Sequence, residues 1–420
     1  MAVGVSLSGY KLVLSGRYSG CGAANANFSA LGSAHCYIRP MIYADYNATA
    51  PLRPEARAAM LAAMDAGANP SSVHGPGRAA RKLLETARAQ VAFAIGARGQ
   101  DVVFTSGGTE ANALALHGVV AQLDRACTLL VSAIEHEAVV KNAGYAGVAV
   151  ETAYVTPQGT LDLDWLRDRL ARWDMAKDGT PVLAIMMANN ETGVIQPVAD
   201  AAEIVREAGG LTHCDAVQGL GKVMVNVGLL GVDYLALSAH KVGGPQGAGA
   251  LWLRSGAPLK PVLFGGGQER SLRSGTENLS GIAGFGAAAE AGVRDIGKLH
   301  GLAAARDRLE ARLKSEAGVT VFGEGAERLA QTSNFAIAGF RAETQVMAMD
   351  LGGVAVSSGS ACSSGKVKRS LVLSAMGVDD TLSASAIRTS YGWQSVVEDF
   401  DRTADVWLEA ARRTVLKERA

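Results

Sequence analysis

Between about residues 80 and 255, short apolar runs of strand length alternate with segments that have helical periodicity. This alternation is typical of an α/β domain, in which helices connect the strands of a mostly parallel sheet. One connecting helix is predicted over Val198 to Ala208. Because ligands of open α/β sheets bind beyond the carboxyl ends of the strands, the residues after each strand are candidates for a functional site. The predicted strands are Val102 to Thr105, Thr128 to Ser132, Val182 to Met187, Leu211 to Cys214, Tyr234 to Ser238 and Ala248 to Leu253.

After about residue 296 the pattern changes, which predicts a second, smaller domain. A long charged helix is followed by strands at Val319 to Phe322, Ser333 to Ile337 and Val354 to Ser357, and by an amphipathic helix from about Val396 to Lys417. Residues 1 to 40 differ from both regions, since they are rich in Gly, Ser and Ala and contain no acidic residue. We expect them to be a disordered extension, or to precede a functional start at Met41.

The composition of the 420-residue chain argues against several classes of partner. Its 40 basic and 40 acidic residues give no electrostatic bias toward nucleic acid or an anionic membrane. No apolar run approaches the roughly 18 residues that are needed to cross a bilayer. Five scattered cysteines are an odd number in a chain too large to need disulfides, which favours a reducing compartment. We therefore expect a cytoplasmic protein with no membrane or nucleic-acid partner. The sequence has no Cys/His cluster of the metal-binding type, so no metal is expected either.

The turn after the strand at Val102 is a candidate phosphate site. It reads Ser106-Gly107-Gly108-Thr109-Glu110 and leads into a helical segment. Backbone N–H groups at such a helix N-terminus, together with the Thr109 hydroxyl, can bind a phosphate. The turn lacks the P-loop lysine and the dinucleotide glycine pattern, which favours a single phosphate group. A plain glycine turn is the alternative.

Two further strand ends carry residues that complete a possible cofactor site. Lys241 follows the strand at Tyr234, within Ser238-Ala239-His240-Lys241, and Asp215 follows the strand at Leu211. A lysine in such a setting can have its pKa lowered enough to form a Schiff base, although most loop lysines are simply solvated. A lysine, a carboxylate and a phosphate site at three strand ends are the groups that pyridoxal phosphate requires.

Cys362 lies at the centre of a run of small residues, Val356-Ser-Ser-Gly-Ser-Ala-Cys-Ser-Ser-Gly-Lys366. A reactive thiol needs exposure and a setting that favours the thiolate, and Lys366 and Lys368 would supply positive charge. An incidental cysteine in a Gly/Ser loop is the alternative. Cys127 is expected in the core, and four histidines are expected to pack or to lie on the surface; these are His74, His117, His213 and His300.

Several ordered blocks between Ile42 and Arg388 resemble the class V aminotransferase family, and within it the cysteine desulfurases of the NifS/IscS type. They include Asp45-Tyr46-Asn47-Ala48-Thr49, Asn69-Pro70-Ser71-Ser72-Val73-His74, Glu135-His136, Asn189-Asn190-Glu191-Thr192-Gly193, Asp215-Ala216-Val217-Gln218, Arg273-Ser274-Gly275-Thr276 and Ser358-Gly359-Ser360-Ala361-Cys362. The resemblance implies an α/β fold-type I transferase dependent on pyridoxal 5'-phosphate. Its large domain would have a mostly parallel, seven-stranded-type sheet flanked by helices, and its smaller domain would be α+β. The implied boundaries are residues 41–55 for a segment that packs with the small domain, 56–296 for the large domain and 297–420 for the small domain carrying Cys362.

The resemblance also implies a role for each candidate residue. Lys241 would bind the cofactor covalently, Asp215 would pair with the pyridine nitrogen, and His136 would stack on the ring and help to move protons. Arg388 would bind the substrate carboxylate, a task suited to bidentate geometry. Two residues, Asn190 and Gln218, would hydrogen-bond around the ring hydroxyl, and Asn190 would also contact substrate. Four residues would hold the phosphate: Gly108, Thr109, Ser238 and His240. Thr276 would reach the phosphate of a neighbouring subunit, which implies a homodimer.

The implied activity is the conversion of L-cysteine to L-alanine, with transfer of the sulfur to Cys362 as a persulfide. The sulfur would then pass to an acceptor, such as a scaffold protein for iron–sulfur cluster assembly. Nitrogenase maturation and transfer-RNA thiolation are alternative destinations, and the sequence does not distinguish among them. A selenocysteine lyase, another class V aminotransferase and a non-catalytic assembly paralogue are the alternative functions.

Overall fold

The computed structural model describes residues 41–358 and 369–415, together with a short antiparallel strand pair near the N-terminus. That pair, β1 (Ser6–Leu7) and β2 (Tyr10–Lys11), belongs to a unit separate from Met41–Ala420. Cys362, Lys366 and Lys368 lie outside the described residues, so their predicted roles stay predictions. The strands after Met41 are β3 (Ile42–Tyr43), β4 (Val102–Thr105), β5 (Cys127–Ser132), β6 (Ala149–Ala153), β7 (Thr180–Met186), β8 (Leu211–Asp215), β9 (Tyr234–Ser238), β10 (Gly249–Leu253), β11 (Thr320–Val321), β12 (Thr332–Ala336), β13 (Val354–Ala355), β14 (Ser357–Ser358) and β15 (Ile387–Ser390).

The helices occupy the intervals between these strands, as the α/β pattern predicts. They are α1 (Pro54–Ala66), α2 (Gly75–Ala94), α3 (Gly108–Gln122), α4 (Glu137–Gly144), α5 (Leu163–Ala171), α6 (Met175–Asp178), α7 (Val198–Glu207), α8 (Val227–Leu230), α9 (Leu279–Arg294), α10 (Ile296–His300), α11 (Ala303–Ala317), α12 (Ala342–Leu351), α13 (Leu371–Ala375), α14 (Asp380–Ser383) and α15 (Val397–Arg413). Among the residues described, no helix combines the length and the apolar character that a membrane span requires.

Seven strands form the central sheet, in the order β4-β10-β9-β8-β7-β5-β6. The pairs from β9 through β6 are parallel, whereas β10 runs antiparallel to both β4 and β9. The predicted mostly parallel sheet is therefore confirmed. The sequence pattern does not predict β6, because this edge strand is largely exposed and has no apolar run.

Each face of this sheet has its own hydrophobic core. Successive side chains of a strand point to opposite faces, so Leu130 and Ile185 pack in one core while Leu129 and Ala184 pack in the other. Helices α1, α2, α7 and α9 cover the first face, and α3 and α4 cover the second. Burial on both faces explains why the central strands have nearly continuous apolar sequences.

A second, four-stranded sheet forms within residues 320–390, in the order β11-β12-β15-β14, with every pair antiparallel. Its core includes Phe335 from β12 and the fully buried Trp407 from α15. The strand predicted over Val354 to Ser357 is split: β14 joins this sheet, while β13 pairs in parallel with β3. The segment that follows Met41 thus pairs with β13 through β3. The domain boundaries near residues 55 and 296 stay predictions.

Candidate active site

A cavity of about 280 Å³ lies beyond the carboxyl ends of the parallel strands. It contains every predicted site residue within the described part of the chain except Thr276, which is exposed and lines a different cavity. The lining residues are Asn47, Ala48, Gly108, Thr109, Asn112, His136, Ala138, Met186, Ala188, Asn190, Asp215, Val217, Gln218, Ser238, His240, Lys241 and Arg388. The residues predicted at these strand ends therefore lie around one cavity.

Lys241 ends a short 3-10 turn that directly follows β9. Its Nζ donates hydrogen bonds to two backbone carbonyl oxygens, that of Asn47 at 2.6 Å and that of Ala48 at 2.7 Å. Burial lowers the pKa of Lys241 to about 8, and the positive charge of Arg388 adds to this effect, while Asp45 and Asp215 oppose it. The neutral fraction of this amine near neutral pH is therefore much larger than that of a solvated lysine, which suits a nucleophile or a base.

Asp215 is the last residue of β8, and its carboxylate is held by two donors. Asn112 Nδ2 lies 2.8 Å from Oδ2, and the backbone N–H of Val217 lies 3.0 Å from Oδ1. Burial raises the pKa of Asp215, whereas the Val217 N–H, His136, Asn112 and Lys241 each lower it. A buried carboxylate supported in this way can bind a protonated ring nitrogen.

The N-terminus of α3 is positioned to bind an anion. The helix begins at Gly108, and among the residues that the structure describes no side chain caps its first turn. Gly108 and Thr109 line the cavity together with Ser238 and His240, so the N-terminus of this helix lies at that end of the cavity. Burial lowers the pKa of His240 to about 4, with Lys241 and Lys222 contributing, so this ring is neutral at pH 7. Its Nδ1 lies 3.0 Å from the Thr49 hydroxyl oxygen.

His136 caps the N-terminus of α4 through its ring. Its Nδ1 accepts the backbone N–H of Ala138 at 3.0 Å, so the ring N–H lies on Nε2. The ring lines the same cavity as Asp215 and Lys241. This arrangement fixes the orientation of the imidazole and leaves Nε2 available to hold a proton.

These residues fit pyridoxal 5'-phosphate. The uncapped helix N-terminus suits the phosphate, the buried Asp215 carboxylate suits the pyridine nitrogen, and the Lys241 amine suits the aldehyde. Within residues 41–358 and 369–415, no group of three or more His, Cys, Asp or Glu side chains could hold a metal ion.

Comparison with known proteins agrees with this geometry. Residues 42–402 match the family model described as Aminotransferase class-V. The chain belongs to the class V aminotransferase family. It is 39% identical over 375 residues to the cysteine desulfurase IscS of Dictyoglomus turgidum, covering 87% of this chain and 93% of that protein. It is 40% identical over 373 residues to a cysteine desulfurase of Cereibacter sphaeroides, covering 87% of this chain and 94% of that protein.

A solved structure of a NifS-like protein from Rickettsia africae superposes on this class V family member with a TM-score of 0.81. The two share 34% sequence identity, and the match covers 89% of this chain and 99% of that one. The predicted family, the fold-type I architecture and the dependence on pyridoxal 5'-phosphate are thereby confirmed.

Arg388 lies on β15 of the second sheet, and its side chain lines the same cavity. Its Nη1 donates to the backbone oxygen of Asn190 at 2.9 Å, and its Nη2 donates to Asp45 Oδ1 at 2.7 Å. Its Nε is buried and has no hydrogen-bond partner among the described residues. Both terminal nitrogens of this guanidinium thus already have partners within the chain, so the carboxylate ligand that the family resemblance implies would share or replace the Asp45 contact.

A buried lysine that the sequence pattern does not single out, Lys222, lies next to Lys241 in this network. Its Nζ donates to Asn47 Oδ1 at 3.0 Å and also to Gln218 Oε1, while Gln218 Nε2 donates to the Asn47 carbonyl oxygen at 2.9 Å. Burial lowers the pKa of Lys222 well below its ordinary value, and the charges of Lys241 and Arg388 act in the same direction. The available signal was a lone lysine within the apolar run from residue 219 to residue 225.

Asn112 was also missed, although it lines the cavity and contacts Asp215. Its signal was a polar side chain within the apolar sequence of α3. Such a residue can equally well cap a turn or face solvent, so the sequence alone does not distinguish these roles.

Proposed function

We propose that this protein is a cysteine desulfurase that converts L-cysteine to L-alanine and receives the sulfur on Cys362 as a persulfide. The observation that carries the proposal is the convergence of Lys241, Asp215 and Arg388 on one cavity, in a chain whose relatives are named cysteine desulfurases. The lysine provides the amine, the aspartate provides the anion for the ring, and the arginine provides the carboxylate site.

Three residues of the cavity have tasks in this reaction: Arg388, Lys241 and Asp215. Bound pyridoxal phosphate supplies an electron-withdrawing ring that stabilises negative charge at the substrate Cα. Arg388 binds the substrate carboxylate and orients the substrate, and Lys241 Nζ accepts the Cα proton and returns it. Asp215 holds the positive charge of the ring nitrogen in place.

The sulfur transfer itself needs a thiolate. Cys362 attacks the sulfur of the substrate, so an S–S bond forms while the substrate S–Cβ bond breaks. The electron pair of the broken bond stays on carbon, which takes up a proton and becomes the methyl group of alanine. The overall exchange balances, because one thiol and cysteine become one persulfide and alanine, and no external oxidant is needed.

The test is the variant Cys362→Ala, with Cys127→Ala as its matched control. Cys127 is buried in β5 and lies outside the cavity. We expect Cys362→Ala to keep the visible absorbance of the bound cofactor and to lose alanine formation from cysteine, while Cys127→Ala keeps both. Retained turnover by Cys362→Ala would remove the proposed role of this thiol.

Product analysis separates this proposal from the other class V activities. A desulfurase yields alanine and enzyme-bound sulfur, whereas a transaminase yields a 2-oxo acid and needs an amino acceptor. A selenocysteine lyase would act on selenocysteine in preference to cysteine and would not depend on Cys362. A non-catalytic paralogue would form no alanine at all.

We also propose that the protein is a cytoplasmic homodimer that passes sulfur to an acceptor protein. The support for the dimer is Thr276, whose exposed position outside the main cavity would leave it free to reach the phosphate of a second subunit. Light scattering measures the mass in solution, and a monomeric holoenzyme would contradict the dimer. Incubation of the persulfide form with candidate scaffold proteins, followed by detection of the transferred sulfur, tests the acceptor.

A further inference from the structure

A chain of two hydrogen bonds connects His213 to the carboxylate of Asp215 through Asn112. His213 Nε2 lies 2.7 Å from Asn112 Oδ1, and Asn112 Nδ2 lies 2.8 Å from Asp215 Oδ2. All three side chains are buried, with exposed fractions of 1%, 1% and 6%. His213 itself does not line the cavity, so it reaches the site only through Asn112.

The position of His213 follows from strand geometry. His213 and Asp215 both belong to β8 and are two residues apart, so their side chains lie on the same face of the sheet. Asn112 lies on α3, which packs against that face. The residue between them, Cys214, points to the opposite face and joins the other core.

The direction of each hydrogen bond follows from donor and acceptor chemistry. An ionised carboxylate only accepts, so Asn112 must present its NH2 group to Asp215 and its oxygen to His213. His213 Nε2 must then carry a proton. Burial lowers the pKa of His213 to about 3, so the ring is neutral, and its Nδ1 has no partner within the described regions of the chain. The ring is therefore the Nε2–H tautomer.

We propose that His213 is a positioning residue for Asp215: its Nε2–H holds the Asn112 amide in the orientation that donates to the Asp215 carboxylate. Without this donor, the Asn112 amide can rotate and place its oxygen against the carboxylate, which disfavours the ionised form. The inference rests on the proposed pairing of Asp215 with the cofactor ring nitrogen.

A neighbouring carboxyl makes the Asn112 donor important. Glu135, in the turn after β5, is buried, and its pKa is raised well above its ordinary value by burial and by the charge of Asp215. Glu135 Oε1 accepts one backbone N–H, from Met186, and its Oε2 has no partner among the residues described. Asp215 accepts two N–H groups and faces His136 and Lys241. This asymmetry favours the negative charge on Asp215 over Glu135, and loss of the Asn112 donor weakens that preference.

The test compares His213→Gln, whose terminal NH2 can still donate to Asn112, with His213→Leu, which has similar volume and no donor. The affinity of each apoprotein for pyridoxal 5'-phosphate is measured by absorbance titration. We expect His213→Leu to bind the cofactor about tenfold or more weakly, as befits the loss of one hydrogen bond in a network that ends at a charged group. His213→Gln should recover most of that affinity.

Two further measurements separate positioning from packing. In an Asn112→Leu background the His213→Gln and His213→Leu variants should bind the cofactor equally, because the connection to Asp215 is already broken. With cysteine as substrate, His213→Leu should lower kcat and leave KM nearly unchanged, since Arg388 still binds the carboxylate. If His213→Leu does not fold, His213→Asn replaces it, because its shorter amide cannot reach Asn112.

Equal cofactor affinities for folded His213→Gln and His213→Leu would overturn the proposal, as would a difference that persists in the Asn112→Leu background. Cofactor affinity is measured without cysteine, so this result is independent of the proposed desulfurase activity.

Discussion

Arg388, which lines the cavity, forms an ion pair with Asp45, with Arg388 Nη2 2.7 Å from Asp45 Oδ1. The side chain of Arg388 is only 4% exposed, whereas that of Asp45 is 22% exposed. The guanidinium proposed to bind the substrate carboxylate therefore already has a carboxylate partner from this chain. Substrate binding must displace Asp45 or share the guanidinium with it.

Removal of this competing carboxylate should strengthen substrate binding. We expect Asp45→Asn to lower KM for cysteine about fivefold, because a partly exposed ion pair is worth about 1 kcal/mol. Arg388→Lys should raise KM about tenfold or more, since an ammonium lacks the bidentate geometry of a guanidinium. Steady-state kinetics measures both. A higher KM in Asp45→Asn would mean that Asp45 orients Arg388 instead of competing for it.

The lowered pKa of Lys241 should govern how fast the apoprotein takes up its cofactor. Only the neutral amine attacks the aldehyde of pyridoxal phosphate, so the rate of covalent attachment should rise with pH and be half-maximal near pH 8. Arg388→Gln removes a positive charge that lowers this pKa, and should move the midpoint to higher pH. Stopped-flow absorbance measures the rate. A native midpoint near pH 10.5 would contradict the perturbed pKa.

Lys222 should matter through Asn47 and Gln218. Lys222→Met keeps most of the volume and removes the donor to both side chains, so we expect about a tenfold lower kcat as the Lys241 contacts with Asn47 loosen. The exposed Lys82→Met is a suitable control. Native kcat in Lys222→Met would show that the lysine only fills space.

The same variant changes the pH dependence of stability. The pKa of Lys222 in the folded chain lies below its ordinary value of 10.5, so the unfolded chain binds more protons at pH values between the two. The folded state therefore loses stability as the pH falls below about 10.5. Urea unfolding of the apoproteins should show a smaller decrease for Lys222→Met than for the native chain.

Glu191 should have the opposite pH dependence. Burial raises its pKa to about 7 in the folded chain, against the lowering effects of the Ser370 hydroxyl and of Arg388. The folded state then binds more protons between pH 4.5 and 7, so this carboxyl lowers stability as the pH rises through that window.

Glu191→Gln should remove that loss, which amounts to roughly 3 kcal/mol at 1.36 kcal/mol per pKa unit. The measurement is urea unfolding of the native and variant apoproteins at pH 5 and pH 7.5, with the exposed Glu207→Gln as control. Parallel pH profiles for the native chain and Glu191→Gln would show that this carboxyl does not titrate in the window.

Local sequence patterns were enough to predict the core of the fold. The apolar runs of β7 and β9 predict buried strands because both faces of those strands are covered. The glycine turn at Gly107 and Gly108 predicts the start of α3. The residue types at the ends of β8 and β9 predict a pyridoxal phosphate site. Prediction failed where apolar periodicity is absent, as in the exposed edge strand β6, or where one run serves two sheets, as in β13 and β14.

The sequence by itself thus determined which chemical groups the protein has and which strand ends present most of them. Only the tertiary structure decided how those groups are held, because its hydrogen bonds join residues far apart in the chain. Asn47 and Lys222 are 175 residues apart, His213 and Asn112 are 101 apart, and Asp45 and Arg388 are 343 apart. A hydrogen bond requires a donor–acceptor distance of about 3 Å and a favourable angle. The periodicity of the sequence gives neither the distance nor the angle between residues so far apart. The partners that orient Asp215, Lys241 and Arg388 therefore became visible only in the folded chain.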